Sequence, residues 1–157
     1  MKAALVRQST GKRYEYIMFV RPTGNGVWQG TVPIDAPAGN DYILLIKGPQ
    51  HLQKKICSGT IEEIDLDTVC NSATFAVQNQ ENRVDMSRIP LFAGDIQGEG
   101  ITQDGVIDAS DIAYIRNNFG TTSPTIVSQV DLNFDGVVDT QDYSLVLLSL
   151  DYRVDEE

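Results

Sequence analysis

Along the first ninety residues, short apolar stretches alternate with clusters of turn residues. Tyr14–Val20 (Tyr-Glu-Tyr-Ile-Met-Phe-Val) is rich in aromatic and β-branched side chains, and Val27–Val32 repeats the pattern. Tyr42–Lys47 is the strongest strand and is stopped by Gly48-Pro49. Breaks fall at Pro22–Gly26 and Asp35–Asp41, and shorter strands are expected near Lys54–Cys57, Thr74–Val77 and Asn82–Asp85. Turn signals at this spacing predict an antiparallel β-sandwich. No useful helical period occurs before residue 108. Beyond it, Ile112, Ile115 and Phe119 recur at helical spacing up to Gly120, and Tyr143, Val146, Leu147 and Leu150 repeat that face. A short helix is expected over Thr125–Gln129. The pattern predicts an α+β chain of two modules, a β-sandwich over 1–91 and a helical module over 92–157.

Charge sharpens that division. The chain has 157 residues, 41% of them hydrophobic, which is enough for packed cores. Its net charge is −10, yet residues 1–91 carry 10 Lys and Arg against 9 Asp and Glu, whereas residues 92–157 carry 2 against 13. An acidic chain repels phosphate backbones, so nucleic acid is excluded as a partner. Unbroken apolar runs such as Ile43–Ile46 are far too short to span a bilayer, so no membrane span is expected. Met1–Arg7 is too short an apolar patch for a signal sequence. With no leader, the chain is expected to be the C-terminal piece of a larger secreted protein. Within 92–157 the acids are spaced among glycines and apolar residues; only Asp155-Glu156-Glu157 has the look of a plain tail.

Catalytic chemistry has little support. His51 is the single histidine and has no nucleophile motif beside it. Cys57 and Cys70 lack the further ligands a zinc site needs. They are two buried thiols or one disulfide, and a bridge would close a loop of about 14 residues worth roughly 3 kcal/mol in the chain-entropy model. Trp28, Tyr14 and Tyr16 are strand-face aromatics or a sugar-stacking platform.

Residues 131–142 carry the sharpest signal. Counting Asp131 as position 1, oxygen side chains fall at positions 1, 3, 5, 9 and 12 as Asp131, Asn133, Asp135, Asp139 and Asp142. Gly136 holds position 6, where a calcium loop of the EF-hand type turns sharply. Val137 at position 7 would offer its carbonyl, and Val138 would point into the core. Asp139 would act through a water, and Asp142 would open the helix and bind through both oxygens. An all-oxygen donor set in a flexible loop favours Ca²⁺ over Mg²⁺ and over softer metals. An upstream copy runs Asp104, Val106, Asp108 and Asp111 at positions 5, 7, 9 and 12, with Asp95 and Gln97 at 1 and 3. Gly98–Thr102 is then a five-residue insertion, from which Glu99 is a further candidate ligand. Two Ca²⁺ sites are expected. Ser110 or Asp111, and Gln141 or Asp142, lie near the helix starts, where acids suit the dipole.

The duplicated loop–helix pattern resembles the dockerin family. The residues that carry it are Gly94-Asp95-Ile96-Gln97, Asp104 through Ile112, and Asp131 through Tyr143. The resemblance implies a dockerin-like all-α calcium-binding module whose paired loops present helices to a cohesin domain. The partner-binding positions it implies are Ala109, Ser110, Arg116, Asn117, Thr140, Gln141, Leu147 and Leu148. Positions 10 and 11 depart from the family's matched Ser-Thr pair. Arg116-Asn117 in the first helix has no basic counterpart, since Leu147-Leu148 occupy the corresponding place in the second. Tyr42–Lys55 is similar to the small β-sandwich modules, Ig- or prealbumin-like, that precede such repeats in bacterial surface proteins.

These readings imply a non-enzymatic, calcium-binding interaction module of a secreted or cell-surface bacterial protein. Its helices would dock on a cohesin-like partner or on its own β-domain. The alternative is a carbohydrate-binding β-sandwich with a calcium-stabilised appendage, its ligand a polysaccharide.

Overall fold

The computed structural model describes residues 1–24, 27–56, 61–64, 67–70, 74–86, 89–152 and 154–156, with the backbone alone for 61–64 and 67–70. Cys57 lies outside these residues and Cys70 is described by its backbone only, so the disulfide expectation falls outside the described residues. The chain divides into two compact units. Unit 1 comprises Met1–Lys47, Lys54–Pro90 and the C-terminal Glu156. Unit 2 comprises Gly48–Gln53 and Leu91–Asp155.

Unit 1 is β-rich. Its larger sheet orders β2 (Arg13–Ile17), β1 (Lys2–Arg7), β5 (Gly39–Lys47) and β6 (Gln53–Ile56), with β9 (Phe75–Val77) also paired to β5. Two antiparallel ribbons, β3 (Val20–Gly24) with β4 (Val27–Gly30) and β7 (Ile61–Ile64) with β8 (Asp67–Cys70), complete it. The Met1–Arg7 patch is the central strand β1, antiparallel to both β2 and β5. Ala3, Ala4 and Leu5 are all buried, as expected of a strand covered on both faces. Leu5, Tyr42, Leu44, Ile46, Ile56 and Val77 form the core. The expected strand Tyr14–Val20 is split: β2 ends at Ile17 opposite Lys2, and β3 starts at Val20.

No strand forms over Asn82–Asp85. The Asn82 side chain instead accepts from the Gln78 amide at 2.9 Å and donates to the Gln78 and Gln80 carbonyls. An asparagine that satisfies nearby backbone groups itself competes with a ladder. Asp155 and Glu156 are not a free tail either. Within unit 1, Glu156 pairs with Lys54 at 2.6 Å with both side chains buried, and it also accepts from the Lys55 amide. Within unit 2, Asp155 accepts from the Gln53 amide at 2.7 Å.

Unit 2 holds α1 (Ala109–Asn117), α2 (Pro124–Val130) and α3 (Thr140–Ser149). Their core joins Ile96, Ile107, Ile115, Val130, Leu132, Val138 and Val146, with Leu52 from the 48–53 segment. Ile107 and Val138 are both position-8 residues, so each loop sends one apolar side chain inward and is tied to the core there. Phe92 stacks on Tyr152 with ring centroids 3.3 Å apart.

Candidate functional site

Loop 1 (Asp95–Asp111) and loop 2 (Asp131–Asp142) repeat one hydrogen-bond scheme. At position 1, Asp95 Oδ2 accepts from Gly105 N at 3.1 Å and Asp131 Oδ2 from Gly136 N at 2.9 Å. The position-5 acids, Asp104 and Asp135, accept from Val106 N and Val137 N at 3.0 and 2.9 Å. The position-9 acids, Asp108 and Asp139, each accept at 2.7 Å from Ser110 N and Gln141 N. At position 12, Asp111 accepts from Ile96 N and Asp108 N, and Asp142 from Leu132 N and Asp139 N. Each carboxylate thus keeps one to three backbone donors, Asp142 also accepting from Asn133 N at 3.3 Å, and holds the curl of its loop. Asn133 adds a bond to Asp135 Oδ2 at 2.8 Å.

Both helices are capped two or three residues earlier than the sequence suggested. Their N-caps are Asp108 and Asp139, and Asp111 and Asp142 sit at N3, where each completes a capping box. The Asp-x-x-Asp spacing at 108–111 and 139–142 carries that signal, because the box needs acceptors three residues apart. One carboxylate at position 12 therefore serves the helix start and the loop together. Gly105 and Gly136 at position 6 adopt φ +87° and +90°, the left-handed turn that a Cβ penalises. Phe134 at position 4 takes φ +62° and leaves its ring exposed.

The insertion closes on itself. Gly98 and Ile101 exchange backbone hydrogen bonds at 3.2 and 3.4 Å, so the chain leaves and re-enters loop 1 at nearly one place. Tyr114 of α1 pins it: its hydroxyl accepts from Glu99 N at 3.1 Å and donates to Gln129. Glu99 and Gln97 are exposed. Gln103, a residue the sequence reading passed over, donates to the carbonyls of Gly48 and Pro49 and so ties the 48–53 segment to loop 1 within unit 2.

Among the described residues, no three His, Cys, Asp or Glu side chains close on one point as a preformed metal cluster. The donor set nonetheless suits a hard cation. Asp111, Asp131 and Asp142 are at most 5% exposed, and among the described residues none of them forms an ion pair. Burying charge without a counter-charge is costly. Burial raises the Asp111 carboxyl above its ordinary range, against the Asp108 and Ile96 amides that lower it, and nearby Asp108 and Asp104 raise it further. A bound divalent cation would offset all of these penalties.

The remaining candidate residues divide by exposure. Ala109, Ser110, Arg116 and Asn117 on α1 are exposed, as are Thr140, Gln141, Leu147 and Leu148 on α3; Leu148 is 73% exposed. In unit 1, Tyr14 and Tyr16 pack against the core, and the Tyr16 hydroxyl donates to Asp35, while Trp28 is exposed on β4. His51 is half-buried, and desolvation lowers its pKa.

Comparison with known proteins agrees with this architecture. Residues 93–150 match the dockerin type I domain. Two solved structures are similar over most of the chain. One is a C-terminal interface mutant of the type II cohesin–X–dockerin complex from Acetivibrio cellulolyticus. It is 25% identical with a TM-score of 0.52, and the match covers 94% of this chain and 79% of that one. The other is an N-terminal interface mutant of the same type of complex, 27% identical with a TM-score of 0.51, covering 83% and 78%. Comparison with curated proteins gives no match. The C-terminal module is therefore a dockerin-like protein-interaction module, and a β-rich module precedes it.

Proposed function

We propose that this chain is a calcium-ordered docking module that acts outside the cell, as part of a secreted or surface-bound assembly. The observation that carries this reading is the hydrogen-bond scheme repeated in both loops, with buried carboxylates at positions 1 and 12 of each. In loop 2 the ligands are Asp131, Asn133, Asp135, Asp142, the Val137 carbonyl, and Asp139 through a water. In loop 1 they are Asp95, Gln97, Asp104, Asp111, the Val106 carbonyl and Asp108. Bound Ca²⁺ supplies positive charge that holds six to eight oxygens together. The chain's own part is to hold those oxygens on backbone N–H donors and to hand each position-12 carboxylate to a helix start. Extracellular calcium is plentiful, so sites of 10⁻⁴–10⁻³ M strength stay filled.

The ordered helices would then present Ala109, Ser110, Arg116, Asn117, Thr140, Gln141, Leu147 and Leu148 to a cohesin-like partner. Support comes from the exposure of all eight and from the cohesin–X–dockerin complexes that the chain is similar to. The test is calorimetric titration with Ca²⁺, followed by capture of type II cohesins from a panel with and without EDTA. Two bound ions and an EDTA-sensitive complex are expected. Absence of binding heat overturns the calcium reading, and a complex that persists in EDTA overturns its link to docking.

A further inference from the structure

The backbone at Phe134 is held on both sides while its ring stays in solvent. Phe134 is position 4 of loop 2 and, among the described residues, the only non-glycine at positive φ, +62°. A bulky aromatic residue suits that region poorly, and such strain persists only where the surroundings fix it. Here they do. Asn133 N donates to Asp142 Oδ1 at 3.3 Å. Asp135 N donates to Asp131 Oδ1 at 3.2 Å and to Asn133 Oδ1 at 3.0 Å. The ring is 75% exposed and, among the described residues, joins neither core cluster and no aromatic pair. The fold therefore holds a strained residue whose ring stays largely in water.

The other loop shows what this position does when it is engaged. Position 4 of loop 1 is Gln103, because the insertion occupies residues 98–102. Its amide donates to the carbonyls of Gly48 and Pro49 at 3.0 and 2.9 Å. A side chain at position 4 is thus placed to grip a segment from outside its loop. Among the described residues, Phe134 has no such segment, and it offers a ring where Gln103 offers an amide. What fits it is apolar.

We propose that Phe134 is a preorganised anchor of the docking surface, its ring entering an apolar slot on the cohesin-like partner. The proposal rests on the docking reading above. The anchor is continuous with that surface: the neighbouring Asn133 Nδ2 donates to Gln141 Oε1 at 3.3 Å, and Gln141 is one of the exposed positions offered to the partner. The large apolar members of that surface, Leu147 and Leu148, lie on α3, the helix that loop 2 leads into. A phenyl side chain has only two χ angles, and its backbone is already fixed, so little freedom is lost when the ring is buried. Aromatic side chains that fill a desolvated pocket dominate interface energetics.

The test uses the full chain and a type II cohesin that it captures in calcium. Phe134→Asn removes the ring but suits the backbone, so the heat of Ca²⁺ binding should be kept. The dissociation constant for the cohesin should rise about thirtyfold, the loss that marks an anchoring aromatic. Phe134→Leu keeps an apolar side chain and should lose less than Phe134→Asn. An affinity unchanged in Phe134→Asn would overturn the anchor. Loss of calcium binding together with the partner in that variant would also overturn it, because the residue would then act on its own loop. Self-association of the wild-type chain that Phe134→Asn abolishes, seen by sedimentation, would assign the ring to a second copy and overturn it as well. A wild-type chain that captures no cohesin from the panel overturns the docking reading and the anchor with it.

Discussion

Single residues in this chain carry loads that their types alone do not reveal. The Lys54–Glu156 pair is buried on both sides, with side chains 4% and 9% exposed. Breaking a buried ion pair by removing one partner costs about 3–5 kcal/mol. Glu156→Gln is therefore expected to lower the unfolding midpoint of unit 1 in urea, and a shift within error would contradict the pairing. The two position-6 glycines differ in a testable way. At Gly136 a Cβ meets nothing, so Gly136→Ala adds only backbone strain of about 1–2 kcal/mol. At Gly105 the same strain adds to a collision with Asp155, so thermal melting of unit 2 should fall further in Gly105→Ala. Equal shifts would show that the Asp155 side chain gives way freely. Phe134 sits at φ +62° with its ring in solvent; asparagine tolerates that backbone better, so Phe134→Asn is expected to match or exceed the wild-type melting temperature.

At the scale of elements, helix starts and metal ligands are the same residues, and substitution can separate the two duties. Asp139 caps α3 and is the proposed water-mediated ligand at position 9. Serine caps a helix about as well as aspartate, whereas alanine loses about 0.5–2 kcal/mol. Asp139→Ser should preserve helicity in EDTA but weaken the calcium affinity of loop 2. Asp139→Ala should reduce both, measured by circular dichroism and calorimetry. The helices were legible in the sequence because Ile112, Ile115, Val146 and Leu150 keep one period and the caps lie beside them. Strand β1 was not legible: Ala-Ala-Leu-Val has no alternation, since both of its faces are covered, and that signature is shared with other buried apolar segments. Asn82–Asp85 misled for the opposite reason. Val84 is the one strand-favouring residue there, and the asparagine side chain takes over the local backbone bonds.

For the whole molecule, the acid excess belongs to one module. Two Ca²⁺ would bring the −11 of residues 92–157 to about −7. Chelation should therefore act unevenly. Each ion at 100 times its dissociation constant contributes about 2.7 kcal/mol to the state that binds it. EDTA is expected to lower the melting of the helical unit strongly and to leave the β-rich unit's transition in place, seen as two separated calorimetric peaks. A single transition unchanged by chelator would contradict both the calcium reading and the independence of the β-rich unit.

The sequence by itself determined the two-module order, the helices and the oxygen-rich spacing of both loops, because each is written in nearby residues: a repeat period, a cap, a glycine at a turn. Only the tertiary structure decided how an inserted loop keeps its shape, through the closed Gly98–Ile101 turn under Tyr114. It also decided that Gly48–Gln53 belongs with the helical unit, that Glu156 is buried against Lys54, and that each loop is braced from the far end of the other's helix. These contacts join residues up to 102 positions apart, and a backbone N–H or carbonyl makes many of them. Every residue except proline carries both groups, so no residue type marks which ones will meet.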